Sequence, residues 1–202
     1  MIVPSHITHY YSRAQGPLRN LSDLSEAQAA DVIADLAQRR LEDPAFKRVF
    51  GRTYMELRRR TEDRLRALFV SGGGKPERSS PHYFVLGSCD WFAGLYPDTG
   101  VVSLDWRDLP QETTSFTYPD SFISMRLGEP YGLPPVPLQD YHEKVFRLEQ
   151  LDEMVAAHGL PEGGRDTGYQ GYHTRPFEKY IEVQIWSDGP VSAYLGTSGT
   201  GI

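Results

Sequence analysis

A single cysteine, Cys89, stands among 202 residues, so no internal disulfide can form and a reducing compartment suits the chain. No apolar run approaches the ~18 residues that a membrane-spanning helix needs. The opening residues, "MIVPSHITHYY", hold neither the basic nor the apolar stretch that starts a secretory signal. A cytoplasmic location and no membrane partner are the expectations. Paired cysteines and an H-E-x-x-H motif are also missing. His6 and His9, three apart on a strand, point to opposite faces, so no metal site is expected.

Positive charge is scarce as well. The net charge is -6, and from Glu129 to the C-terminus 5 Lys+Arg face 11 Asp+Glu. Binding along a phosphate backbone needs clustered positive charge, so nucleic acid is not an expected partner. One basic cluster exists in "MELRRRTEDRLRALF", with Arg58, Arg59, Arg60, Arg64 and Arg66. Glu56, Glu62 and Asp63 are interleaved at helical spacings, which predicts local pairing on a solvated helix face.

What is present is ordinary globular material: 39% hydrophobic and 24% charged residues, expected to form one domain over 1–202. "ITHYYSR" reads as a short strand, ended by Gly16 and Pro17. Ser25 and Gln28 form a capping-box pattern ahead of Val32, Ile33, Leu36 and Leu41 at helical spacing. A second helix is predicted from Asp43 and Pro44, with an apolar stripe from Phe46 to Phe69 and a stop at "SGGGKP". After residue 80 the pattern turns strand-like in "HYFVLG", "VVSLDW", "TTSFTYPD", "SFISMRL", "KVFRL" and "KYIEVQIW". "LEQLDEMVAAHG" reads as a short helix, while "GEPYGLPPVPLQD" and "PEGGRDTGYQGYHTRP" read as long loops. The expected fold is α+β: two helices from the N-terminal half on a mixed, largely antiparallel sheet, with long Pro/Gly-rich loops.

Several motifs reduce to structure. "SGGGK" has a helix before it and "PERSSP" after it, the inverse of a phosphate loop, and is a helix stop. Cys89 reads as a small buried hydrophobe, since nothing fixes His82 against it. In Tyr118-Pro119-Asp120-Ser121 the aspartate reads as a turn acceptor between two strands. Two strands are more telling. Alternation sets Ile181, Val183 and Ile185 on a core face and Tyr180, Glu182, Gln184 and Trp186 on the other. A carboxylate between two large aromatics suits a cleft floor or a solvated sheet face. In "HITHYYSR", His9, Tyr11 and Arg13 share one face, and neither face is apolar.

"HYYSRAQGPLRNLSDL", "SFTYPDSF" and "YIEVQIW" together resemble a family of uncharacterised bacterial proteins. "HYYS" and "YIEVQ" also resemble the first and last strands of mono-ADP-ribosyltransferases with a His-Tyr-Glu site, though an extra residue separates His-Tyr from Ser12. That resemblance implies NAD as a substrate, with no permanently bound cofactor. It implies that His9 and Glu182 are catalytic and that Tyr83 is the candidate for the tyrosine that stacks on nicotinamide. Tyr11, Arg13, Tyr180 and Trp186 complete the expected binding surface, with Arg13 facing the pyrophosphate. The chemistry is coherent, because a carboxylate stabilises the positive charge that develops on a ribose losing its base. The alternative expectation is a non-catalytic module that binds a small molecule or a protein in the same aromatic and polar cleft.

Overall fold

The computed structural model describes residues 2–48, 50–132, 135, 137–161 and 180–196. Within them the chain is α+β, built on a six-stranded sheet in which every pairing is antiparallel. The strands are β1 (His6–Ser12), β2 (His82–Leu86), β3 (Thr99–Asp105), β4 (Thr114–Thr117), β5 (Phe146–Arg147) and β6 (Glu182–Ile185). Their spatial order is β3-β1-β2-β6-β4-β5, so the late strand β6 lies at the centre. The helices are α1 (Glu26–Glu42), α2 (Tyr54–Ser71), α3 (Asp90–Ala93), α4 (Ser121–Met125) and α5 (Leu151–His158).

Register assigns each side chain to a face. Ile7 pairs with Leu86, Phe84 with Val183, and Phe116 with Val183, and these residues share the main core. Leu148, Leu151 and Val155, at and within α5, cover that face together with Trp106 and Val191. Each such buried side chain contributes roughly 1.5–3 kcal/mol. Thr8 pairs with Val85, Val85 with Glu182, and Glu182 with Thr117, forming one row across the opposite face. There, Leu65 and Phe69 of α2 pack on Trp186, whose ring stacks with Phe69 at 6.1 Å between centroids. A second apolar cluster, Val85, Cys89, Trp91 and Leu95, covers the other end of the same face.

The capping box of α1 forms as its residues require: Ser25 Oγ accepts from the Gln28 N–H, and Gln28 Oε1 accepts from the Ser25 N–H. Of the two early helices only α2 lies in a sheet-covering cluster; α1 rests against the 3₁₀ turn Leu21–Asp23. The second helix also starts later than Pro44. Asp43 caps a turn, its side chain accepting from the Ala45 N–H at 2.8 Å and its carbonyl from the Phe46 N–H at 3.0 Å, but the N–H groups of Lys47 and Arg48 donate to the Leu95 carbonyl. A tertiary bond thus replaces the helical one, and α2 begins at Tyr54.

The segment "SFISMRL" is a helix rather than a strand. Asp120 accepts from the N–H groups of Phe122 and Ile123 at 3.0 and 3.2 Å, and that N-cap outweighs the β-branched and aromatic pattern. Tyr118-Pro119-Asp120-Ser121 therefore joins a strand to a helix, not two strands. The loop "PEGGRDTGYQGYHTRP" lies almost wholly outside the described residues. No helix among the described residues is long and apolar enough to cross a membrane.

Candidate functional site

The two clusters that cover the Glu182 face do not meet. Between α2 on one side and the Cys89–Tyr96 segment on the other lies a cleft of about 690 Å³. Its walls are aromatic: Tyr54, Tyr83, Phe92, Phe122 and Tyr180 line it, with Glu182 and Asp120 at the floor. Tyr10, Phe92 and Tyr180 form a run of rings, with centroids 6.1 Å apart for the first pair and 5.0 Å for the second. The guanidinium of Arg48 lies over Phe50 at 4.5 Å and reaches Phe92 at 5.9 Å.

Glu182 is held from several directions. Gln184 Nε2 donates to its Oε1 at 3.2 Å, and Ser121 gives a second side-chain bond. Its own N–H donates to the Pro119 carbonyl at 3.5 Å, which docks the Tyr118–Ser121 turn beside it. Burial pushes its pKa up from 4.5 to about 7; the nearby Asp120 charge adds to this, and the bonds from Ser121 and Gln184 oppose it. A carboxyl titrating near neutrality in a cleft is equipped for acid–base or electrostatic work. Burial and the Asp120 and Glu182 charges also hold the Tyr180 hydroxyl well above its ordinary pKa.

On the α2 side, Arg58 is the hub. Its Nε donates to Glu62 Oε1 at 3.0 Å and to Ser22 Oγ at 2.8 Å. Its other nitrogens reach Tyr54 Oη at 2.6 Å and Asn20 Oδ1 at 2.7 Å. Tyr83 Oη donates to the same Glu62 oxygen at 3.0 Å, and the Arg58 guanidinium lies over the Tyr83 ring at 4.7 Å. Burial works against the Arg58 charge, yet Tyr54, Tyr83 and Glu62 outweigh it and keep its pKa above the ordinary value. Burial and the Glu62 charge likewise keep the Tyr83 hydroxyl protonated. Arg58 is thus a half-buried cleft residue paired within its helix, while Arg59 pairs with Glu26 of α1 and Arg60 donates to Tyr131.

The structure brings Glu182, Tyr83 and Tyr180 to one cleft. His9 borders the same cavity but belongs to the opposite face of β1, in register with Val102, while Thr8 shares the row of Glu182. Both of its ring nitrogens are engaged inside the protein. The Leu18 N–H donates to Nε2 at 3.1 Å, so Nδ1 carries the proton and donates to the Tyr83 carbonyl at 2.9 Å. Burial lowers its pKa to about 4, against the bond to Tyr83, which raises it. His9 is therefore a neutral clamp between β1, β2 and the Leu18 loop.

Tyr11 packs its ring over Gly100 and beside His9, away from the cleft lining. The Arg13 N–H donates to the Asp98 carbonyl, and its exposed residue likewise does not line the cleft. Trp186 is fully buried under α2, its Nε1 donating to Ser115 Oγ at 2.9 Å, so its surface is not open to a ligand. Cys89 is buried, and His82 bonds Asp188 through Nε2 at 2.8 Å. No group of His, Cys, Asp and Glu that could hold a metal ion occurs among the described residues.

The sequence pattern gives no role to Arg48 and Asn20, makes Asp120 a turn acceptor, and sets Arg58 and Glu62 on a solvated helix face. One signal was available: Leu57, Thr61, Leu65 and Phe69 are the buried stripe of α2, and Glu62 and Arg58 flank it. A carboxylate beside a core stripe at i+4 from an arginine marks a buried pair rather than a solvated one.

The fold and cleft define a class: an α+β domain with an aromatic pocket whose lining includes the carboxyls of Glu182 and Asp120. Compared with known proteins, the chain matches no family model, no curated protein and no solved structure.

Proposed function

We propose that the protein is an enzyme that cleaves the glycosidic bond of a base-bearing riboside, with NAD the first substrate to test and Glu182 the catalytic group. The observation that carries this reading is a buried carboxyl, titrating near pH 7, on the floor of an aromatic cleft. The base ring stacks among Tyr180, Phe92 and Tyr83, and its ribose lies over Glu182. The bond from the ribose carbon to the ring nitrogen breaks, and its electron pair stays on the nitrogen, which neutralises a pyridinium leaving group. Ionised Glu182 stabilises the positive charge left on the ribose, and a water then attacks that carbon and releases its proton to bulk solvent. His9 has no part in this step, because both its nitrogens are bonded within the protein. Water, rather than a side chain of another protein, is accordingly the acceptor, in place of a His-Tyr-Glu transfer.

Calorimetry with NAD, run beside a nicotinamide-release assay, tests the reading. Binding with turnover is expected. Binding without turnover would select a non-catalytic module, which the saturated bonding of His9 also suits. Neither binding nor release would overturn the NAD reading.

A further inference from the structure

Resting on that reading, we infer that Gln184 is a positioning residue for Glu182. A buried relay from Trp186 through Ser115 turns the N–H end of its amide toward the Glu182 carboxyl. That contact favours the ionised form, on which the proposed cleavage calls. Alternation along β6 and into Trp186 puts Glu182, Gln184 and Trp186 on one face. On β4, Ser115 stands opposite Gln184 in register, and Thr117 opposite Glu182. Ser115, Thr117, Gln184 and Trp186 are all fully buried, so their polar atoms must find partners within the protein.

The hydrogen bonds fix the direction of the amide. An indole nitrogen only donates, so Trp186 Nε1 makes Ser115 Oγ its acceptor, at 2.9 Å. The serine proton is then left for Gln184 Oε1, also at 2.9 Å. Nε2 points the other way. It donates to Thr117 Oγ1 at 3.1 Å, to Glu182 Oε1 at 3.2 Å and to the Glu182 main-chain carbonyl at 3.3 Å. The reversed amide would set its oxygen against that carbonyl and that carboxyl, and would leave the serine proton facing an N–H group. Only a protonated Glu182 could bond such an amide oxygen, so the two orientations go with the two forms of the carboxyl. The relay selects the donor.

Among the described residues, other groups act on Glu182 from the elements around it. Burial is the largest influence and opposes its charge, as does Asp120 from the turn before α4. Ser121, at the start of α4, and Arg58 of α2 act with Gln184 against them. The hydroxyls of Tyr83 on β2 and Tyr180 ahead of β6 stay protonated, through burial first and the Glu182 charge among other causes. Ser115 Oγ bonds Trp186 and Gln184 and none of these groups. Its removal therefore acts on the amide and leaves the other neighbours of Glu182 in place.

The test is the titration of Glu182 by carboxyl NMR in protein carrying isotope-labelled glutamate, with its signal assigned as the one lost in Glu182→Gln. This reads the carboxyl whether or not NAD is cleaved. Gln184→Met, close in size and without a donor, should raise the titration midpoint by about one to two pH units. Ser115→Ala, which deletes a single oxygen, should raise it in the same direction by less. Thr113→Val is the control: it breaks another buried bond, to Ser187 at 3.0 Å, and should lower Tm without moving the midpoint. In nicotinamide release, both relay variants should move the rising limb of kcat/KM to higher pH, with a smaller effect on the plateau above it. A lowered plateau with the limb in place would mark a merely structural role and overturn the inference. An unmoved midpoint in either relay variant, or an equal rise in Thr113→Val, would overturn it as well. Should Gln184→Met not fold, Ser115→Ala decides alone. Failure is separable from that of the enzymatic reading. A raised midpoint without NAD cleavage sinks the enzyme and keeps the relay; Glu182-dependent cleavage with the midpoint unmoved does the opposite.

Discussion

His9 and Glu182 border one cleft from opposite faces of the sheet: Thr8, not His9, continues through Val85 the row that contains Glu182. His9 spends its ring on main-chain groups of Tyr83 and Leu18. Leu18 is held at a positive φ of 57°, a conformation costing about 1–3 kcal/mol that the surrounding contacts must sustain. The imidazole is one of those contacts.

His9→Ala should therefore destabilise the protein and leave its chemistry alone. The substitution strands a buried N–H and a buried carbonyl, costing on the order of 1–3 kcal/mol each if water does not replace the ring. Thermal denaturation should show a lowered Tm, while nicotinamide release per folded molecule stays within a few-fold. A collapse of turnover at unchanged Tm would restore His9 to a catalytic role.

Glu182 makes the protein less stable as the pH rises. Its pKa is about 7 in the folded chain against an ordinary 4.5, so the native state holds a proton that the unfolded state releases between those values. The stabilisation is full below about 4.5 and is lost as the pH climbs through 7. Glu182→Gln mimics the protonated form and should gain on the order of 3 kcal/mol over the unmodified chain at pH 8, with the difference vanishing near pH 4.5. His9 acts in the opposite sense, with a folded value of about 4 against 6.5. Its contribution is present above 6.5 and is lost as the pH falls toward 4. Denaturant titrations across pH 4–8 on both proteins measure the two limbs.

The aromatic residues flanking Glu182 in sequence should separate in their effects. Tyr180 faces the cleft and Trp186 lies in the core. Tyr180→Ala should weaken NAD binding by roughly ten-fold, as loss of a base-stacking surface does. Trp186→Ala should cost about 3–5 kcal/mol of stability through its cavity and the lost indole bond to Ser115. Paired measurements of Kd and Tm check this, and equal effects on affinity would contradict the placement.

These contrasts show where the sequence was legible. Period-two alternation in "KYIEVQIW" set Glu182 and Val183 on opposite faces, and the structure keeps them there. Alternation cannot say what covers a face. That depends on α2, which reaches over Trp186 but stops short of Glu182 and leaves the cleft between. The capping box at Ser25 and the Gly159 stop after α5 were local signals and held as local structure. The later start of α2 and the helix at Ser121–Met125 rest on a tertiary bond to Leu95 and on a short N-cap, and neither leaves a periodic trace. Likewise the Arg58 cluster joins residues 20, 22, 54, 62 and 83, which only the fold assembles.

The most direct measurement is the pH profile of kcat/KM for nicotinamide release from NAD by the unmodified protein and by Glu182→Gln. The Glu182 carboxyl has a pKa of about 7, and the proposed hydrolysis calls on its ionised form to stabilise the ribosyl charge. The unmodified protein should therefore rise in kcat/KM with unit slope up to about pH 7 and then level off. Glu182→Gln should lie ~10²–10³ lower with that limb absent, while its affinity for NAD stays nearly unchanged. A Glu182→Gln protein that releases nicotinamide at the unmodified rate, with the limb still in place, would contradict the account.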